Sequence, residues 1–587
     1  MNYKWDLTVF FKEEKEFFDF LDYFKHYAGD LAKFNGLLGK EEKLAVFLKI
    51  YKQSNIDLAR LYFYASMKSD QNKKNVENLA ALNKVRLALD DYGSALSYLE
   101  PELISLGKPY LDEFLNKYPE FAEFSYYFDK LLLNKDHVLS NDKEMLLSNF
   151  SPIMGEGGNL YSQLSVGDYL PKKVVLETGE EVSVSTANWT SLIKKASTAD
   201  RAKIFEALYS YFDAHKNVYG EIYNLVVQSQ IATMKSRGYS SLLELHLKGN
   251  NIPQEVFLNL IEVAKEGSGP LKKYYELRRK YLGLEAHRSY DRFLSLAKSS
   301  KKYTYEEAKE LFFESIKDYP KTFQDKAHEV LKEGYVDVYP GEGKRTGAYS
   351  NGGYDFHPFI LLNFLGELDD VFTISHEAGH SIHTMFAEEA QPTLKQDYTI
   401  FVAEIASTFN EHNLLDYLLK SDSLSKEDKI YLLQKSIDEI CGTFYRQTLF
   451  GEYEYRISNL ALKGEPINYQ VCSNVMIDLY KEYYGIDIKE EKLKELVWAY
   501  IPHLFYSPFY VYQYATSFTS SMLIYERVRN KEEGAFESYL ELLKSGGSGY
   551  PINQVKKAGV DLTKKEAFLS VIHRMNELVN ALEEMLK

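Results

Sequence analysis

Cysteine is almost missing from this chain. Cys441 and Cys472 are the only two in 587 residues, too few for a disulfide-stapled scaffold. Neither has a cysteine or histidine beside it at ligand spacing, so both read as buried free thiols in a reducing compartment. Long apolar runs are also absent, which speaks against a membrane span. The start of the chain, with Lys4 and Asp6 soon followed by Lys12, Glu13, Glu14 and Lys15, lacks the apolar core of a signal peptide. The expected location is cytoplasmic. A basic stripe is missing as well: Lys and Arg number 70 against 85 Asp and Glu, a net charge of −15. Nucleic-acid binding needs the opposite balance. The negative surplus serves solubility, or an acidic cavity that draws basic peptides. Repeats and low-complexity tracts are absent too, so the oligomeric state has no signature here.

Helical periodicity is abundant. Leu44, Phe47, Leu48 and Tyr51, then Leu58, Leu61 and Tyr62, recur in steps of three and four, which gives a helix over 41–68 one apolar face. Residues 75–99 and 108–132 follow the same pattern. Tyrosine is plentiful at 48 residues, and its apolar ring with a polar tip suits such amphipathic packing. Alternation over 173–184 around Thr178, Gly179 and Glu180 predicts a β-hairpin. Helices are expected again from Trp189 to Lys235. The division expected is therefore a helical N-terminal domain over 1–185, ending in the hairpin, and a second domain over 186–587. A glycine-punctuated stretch at 334–364 reads as a few strands, with His357 at a strand start.

The stretch His376, Glu377, Ala378, Gly379, His380 is an H-E-x-x-H pattern. On a helix, positions i and i+4 share a face, so two imidazoles can offer nitrogens to one ion while the glutamate reaches a water beside it. Asp369 and Asp370 mark the helix start, and Pro392 limits its end near Glu388. Gly379 weakens the helix and so suggests a close approach by another segment. A catalytic zinc takes a third protein ligand. Position 386, where a third histidine of another zinc class would stand, is Phe386. A second helix from about Thr399 carries Glu404, 28 residues after His376, on a side away from the apolar stripe of Ile405 and Phe409. Glu404 is the third ligand expected, with a buried salt-bridge partner as the alternative. Glu388, Glu389 and Glu411 are weaker candidates, and His383 reads as a residue behind the site or in the core. Two imidazoles and one carboxylate leave an ion with net positive charge, which favours hydroxide at an open position. Further on, His503, Tyr506, Tyr510, Tyr512 and Tyr514 offer donors for an oxyanion. The alternative for this stripe is core packing.

The segments 343–350, 358–363, 370–383, 403–411 and 501–514, together with weaker similarity over nearly the whole chain, resemble oligoendopeptidase F, of the thimet oligopeptidase superfamily of zinc metallopeptidases. The resemblance implies a mostly α-helical, zincin-like fold with two lobes, a deep central channel, and a small antiparallel β-sheet beside the active-site helix. It implies hydrolysis of internal bonds in short peptides. One zinc would be held by His376, His380 and Glu404, with Glu377 as acid and base. It further implies that a strand with Gly347, Ala348 and Tyr349 pairs with substrate backbone. His503 and Tyr510 would bind the reacting carbonyl, with Tyr506, Tyr512 and Tyr514 as neighbouring contacts. A zinc carboxypeptidase or dipeptidyl carboxypeptidase is the nearest alternative. A non-catalytic helical peptide binder is the more distant one.

Overall fold

The computed structural model describes residues 3–299, 301–422 and 424–587. Helices dominate, and no described helix is long and apolar enough to cross a membrane. The chain forms two compact units, each assembled from three separated stretches. The first takes Met1–Lys135, Ser300–Lys420 and Ser520–Val560; the second takes Asp136–Ser299, Ser421–Thr519 and Asp561–Lys587. The division expected near residue 185 does not coincide with these units. The hairpin of β1 (Lys172–Val175) and β2 (Glu181–Val184) lies inside the second unit. Local composition marks where elements end, whereas unit membership follows contacts between distant stretches.

The N-terminal helices form much as the periodicity predicts, over Glu41–Gln71 and Val76–Ala95. The third expected helix is broken. Gly107, just ahead of it, leaves helical geometry at φ 77°, and within it Tyr118, ahead of Pro119, takes φ −124° and ψ 73°. The proline ring disfavours helical geometry in the residue before it, so a 3-10 turn at Pro119–Phe124 precedes the helix Ser125–Leu133. The expected run from Trp189 likewise divides into Trp189–Lys195, Thr198–Ala214 and Lys216–Arg237. Ser197 caps the second of these by accepting the Asp200 amide.

The N-terminal core of the first unit includes Phe10, Phe47, Phe114 and Phe121 and is completed by Phe359 and Leu361. Those two residues belong to a three-stranded sheet of β3 (Val336–Asp337), β4 (Tyr349–Gly353) and β5 (Phe356–Leu361), in the order β3-β5-β4. β4 and β5 run antiparallel, and the short β3 joins β5 in parallel. β4 is therefore an edge strand. Its turn into β5 uses two non-glycine left-handed residues, Tyr354 and Asp355, at φ 55° and 68°. The turn is tied down where Thr393 Oγ1 and Gln396 Nε2 donate to the Asp355 carboxylate at 2.9 and 2.7 Å.

After β5 comes the motif helix, Leu368–Ala390. Asp370 accepts the amides of Leu365 and Glu367, each at 2.9 Å, which satisfies donors that a helix N-terminus leaves free. Gln391, ahead of Pro392, turns extended and ends it. The next long helix is Ile400–Lys420. These two helices cross at Gly379, where a Cβ would lie 2.5 Å from the Ala406 carbonyl oxygen and 2.6 Å from Ser407 Cα. Asn410 Nδ2 also donates to the Ser375 carbonyl at 3.1 Å. No side chain fits at Gly379, so glycine there sets the helix–helix separation.

Gly379→Ala is expected to destabilise the protein. Alanine restores about 1 kcal/mol of helix propensity, but overpacking costs about 1–3 kcal/mol, and backbone neighbours put it toward the upper end. Denaturant unfolding of the two proteins checks this.

Candidate metal centre

The crossing at Gly379 sets the geometry of the site. His376 and His380, one turn apart on the motif helix, bring their Nε2 atoms to 3.2 Å from each other. Glu404, in the first turns of the second helix, places Oε2 3.4 Å from His376 Nε2 and 3.5 Å from His380 Nε2. For an ion with ligands at about 2.1 Å, a tetrahedral edge is about 3.4 Å. The triangle matches that edge, and two imidazoles with one carboxylate form a known catalytic ligand set. This trio is the group that could hold a metal ion among the described residues. All three side chains keep 18–29% of their surface open to solvent, so a fourth position can be reached by water.

The remaining ring nitrogens are held from behind. His376 Nδ1–H donates to Glu411 Oε1, which leaves Nε2 to face the site. His380 bonds the Ala403 backbone carbonyl. Ser407 Oγ donates to Glu404 Oε2 at 3.0 Å. These contacts orient the ligand set before any ion arrives. The electrostatics of these side chains show how closely the groups interact. Burial disfavours a charged His376, but Glu411 first, and with it the charges of Glu377 and Glu404, outweigh it and hold the imidazole up to about 10. Burial and the adjacent His376 push His380 down to about 4.

Glu377 sits on the neighbouring face and is 6% exposed. It accepts the Ser350 amide of β4, which orients it, while Oε2 has no hydrogen-bond partner among the described residues. Burial first, and then the charges of Glu404 and Glu411, raise its carboxyl to about 7. A second tie between strand and motif helix is the 2.8 Å contact of the Ser350 and Ser381 hydroxyls.

Profiles of two families match the chain: peptidase family M3 over residues 191–574 and oligopeptidase F over 102–169. The chain belongs to peptidase family M3. The group B oligopeptidase PepB of Streptococcus agalactiae is 33% identical, over 98% of this chain and 97% of that protein. Oligopeptidase PepF of Bacillus subtilis is 32% identical, over 99% of this chain and 87% of that protein. The crystal structure of oligoendopeptidase-F from Enterococcus faecium superposes with a TM-score of 0.76 at 26% identity, over 97% of this chain and 99% of that one. This M3 chain is thus a metallopeptidase of the oligoendopeptidase F kind.

The weaker ligand candidates lie elsewhere in this M3 chain. Glu388 accepts the Gly353 amide, and Glu389 pairs with Lys326. Glu411, considered from sequence only as a ligand, instead stands behind His376; its place seven residues after Glu404, on the same helix face, was the available signal. His383 is 1% exposed and stacks on Tyr398, with ring centroids 3.6 Å apart. His357 stacks on Tyr335 at 3.7 Å.

Gly347 and Ala348 precede β4 rather than lying in it, with Gly347 in a left-handed turn at φ 81°. Asn363 Nδ2 donates to the Gly347 carbonyl at 2.7 Å. Tyr349 opens β4, and its hydroxyl donates to Asp70 Oδ2 at 2.8 Å, so the phenol anchors the strand to the N-terminal helices.

His503 and the tyrosines after it belong to the second unit. The stripe is not one helix. His503–Tyr506 and Tyr512–Arg529 are helical, while Phe509 between them has φ 55°, a geometry that costs a non-glycine residue about 1–3 kcal/mol. His503, Tyr510 and Tyr514 gather there, with ring centroids 5.5–6.2 Å apart. Burial lowers the His503 pKa. Tyr506 departs from them and meets the Tyr161 ring edge-on at 5.4 Å. Tyr512 is 3% exposed and packs edge-on against Phe257 at 5.4 Å, which leaves its side chain in the core.

Glu411→Gln should lower metal affinity about 10–100-fold, the usual effect of removing a partner behind a ligating histidine, while the protein stays folded. Competition with a chelator of known affinity measures it.

Proposed function

We propose that this M3 peptidase is a zinc-dependent oligoendopeptidase that hydrolyses internal bonds of short peptides. The observation that carries the proposal is the triangle of His376 Nε2, His380 Nε2 and Glu404 Oε2, with Glu377 beside it. Zinc bound there would polarise a water and the scissile carbonyl. Glu377, oriented by the Ser350 amide, takes the proton from the attacking water and delivers it to the leaving amine. β4 offers the outer edge of its sheet to an extended peptide, which adds as a further strand. In this reading Gly347 and Ala348 lead the peptide onto that edge. His503 and Tyr510 donate to the oxygen that gains charge as the carbonyl is attacked, with Tyr514 the neighbouring donor. The relatives named as oligopeptidases support short peptides as substrates. Two buried free thiols fit a cytoplasmic, reducing setting.

Glu377→Gln keeps the shape of the side chain but loses the proton acceptor. It should bind zinc at wild-type stoichiometry and lose about 10²–10⁴-fold in kcat; wild-type turnover in the metal-loaded variant removes Glu377 from the role. The endopeptidase assignment is checked by mass spectrometry on a peptide whose C-terminus is amidated. Cleavage at internal bonds is expected with both free and blocked ends, whereas a requirement for the free carboxylate marks a carboxypeptidase.

A further inference from the structure

Glu454 lies in the helix Arg446–Leu462 of the second unit, 3% exposed, and has no part in the chemistry above. A buried glutamate is rare without a partner of opposite charge. Here the partner is a single backbone amide: Phe509 N–H donates to Glu454 Oε1 at 2.8 Å, and Oε2 has no hydrogen-bond partner among the described residues. The hydroxyls of Tyr223 and Tyr453 lie close enough to feel its charge. The Tyr223 hydroxyl is pushed well up by burial and by the Glu454 charge. Burial raises Glu454 itself to about 8, against the pull of the Phe509 amide.

The amide it holds belongs to the residue at φ 55°. Bulky residues avoid that region unless their surroundings impose it. Two contacts impose it here. The Phe509 ring stacks on His246 with centroids 5.0 Å apart and reaches Phe257 at 5.9 Å, while Glu454 fixes the backbone. The next residue is Tyr510, whose ring lies parallel to that of His503 at 6.2 Å. A change of φ at Phe509 redirects the chain at Tyr510.

We infer that Glu454 is a positioning residue for the peptidase reaction: by accepting the Phe509 amide it holds the left-handed turn that carries Tyr510 beside His503. The inference rests on the proposed role of His503 and Tyr510. Glutamine retains the accepting oxygen and methionine retains the bulk without it, so the two substitutions separate hydrogen bonding from packing.

The experiment uses the metal-loaded full chain. Glu454→Met should lower kcat about 10–100-fold, since small misplacements of reacting groups cost rates of that order, with KM and metal content little changed. Glu454→Gln should stay within about threefold of wild type. In a Tyr510→Phe background, Glu454→Met should cost less than about threefold more, because groups acting through one another do not add. Losses that multiply instead mean a merely structural role and overturn the inference. Wild-type kcat in Glu454→Met beside a crippled Tyr510→Phe overturns it while leaving the role of Tyr510 standing. A fully active Tyr510→Phe overturns both. If Glu454→Met does not fold, Glu454→Asp takes its place, since it withdraws the acceptor by one methylene. Fluorotyrosine at position 510 then reads the ring directly: its 19F resonance should move in Glu454→Asp and hold in Glu454→Gln, and an unmoved resonance in Glu454→Asp overturns the inference.

Discussion

The candidate metal centre depends on one steric fact, the absence of a side chain at Gly379. Because nothing projects there, the backbone of Ala406 and Ser407 comes within what would be 2.5–2.6 Å of a Cβ. At that separation Glu404 reaches the two imidazoles from the facing helix, and Glu411 reaches the back of His376. Helix axes in proteins commonly pack 8–10 Å apart, depending on the side chains between them. A larger residue at the crossing would hold the carboxylates back from a ligand set whose bonds must fall near 2.0–2.2 Å. The glycine lowers the propensity of its own helix, and what it gains is position.

Around that crossing, the rest of the first unit works to remove freedom from the reacting groups. The sheet is held to the N-terminal helices through Phe359 and Leu361 and through the hydrogen bond from Trp5 Nε1 to the Ile360 carbonyl at 2.8 Å. β4 in turn orients Glu377 with the Ser350 amide and meets the motif helix at Ser381. The carboxylate proposed to move protons is thereby fixed from a strand, while the candidate ligands are fixed from two helices. Preorganisation of this kind places donors and acceptors before substrate arrives, so little reorganisation is left for the reaction itself. A similar economy holds in the second unit, where a strained Phe509 is fixed at both ring and amide.

The legible part of the chain was that governed by local rules. The H-E-x-x-H pattern needs only helical spacing, and the structure sets those histidines on a helix whose start at Leu368, capped through Asp370, and end before Pro392 follow from capping and proline sterics. Glu404 could be named because it falls early in the next helix with its apolar neighbours, Ile405 and Phe409, pointing elsewhere. The breaks were harder to place. The helix expected over 108–132 contains Pro119, yet periodicity continued across it, because Phe114, Phe121 and Phe128 fill one core from separate elements. Tyr506, Tyr510 and Tyr514 stand four residues apart, but the left-handed Phe509 splits Tyr506 from the other two, while Tyr512, two residues before Tyr514 on the same helix, turns to Phe257 instead.

The sequence by itself determined the helical class, the paired imidazoles with their neighbouring glutamate, and the third carboxylate, since each depends on periodicity or on spacing along one or two adjacent helices. Tertiary structure alone decided that Glu411 meets the Nδ1 side of His376, that Tyr349 anchors its strand to Asp70, and that the two units each draw on three distant stretches of chain. The physical reason is range. Backbone sterics and helix periodicity act over a few residues, whereas the partner of a buried polar group is chosen by whichever segment folding brings to it.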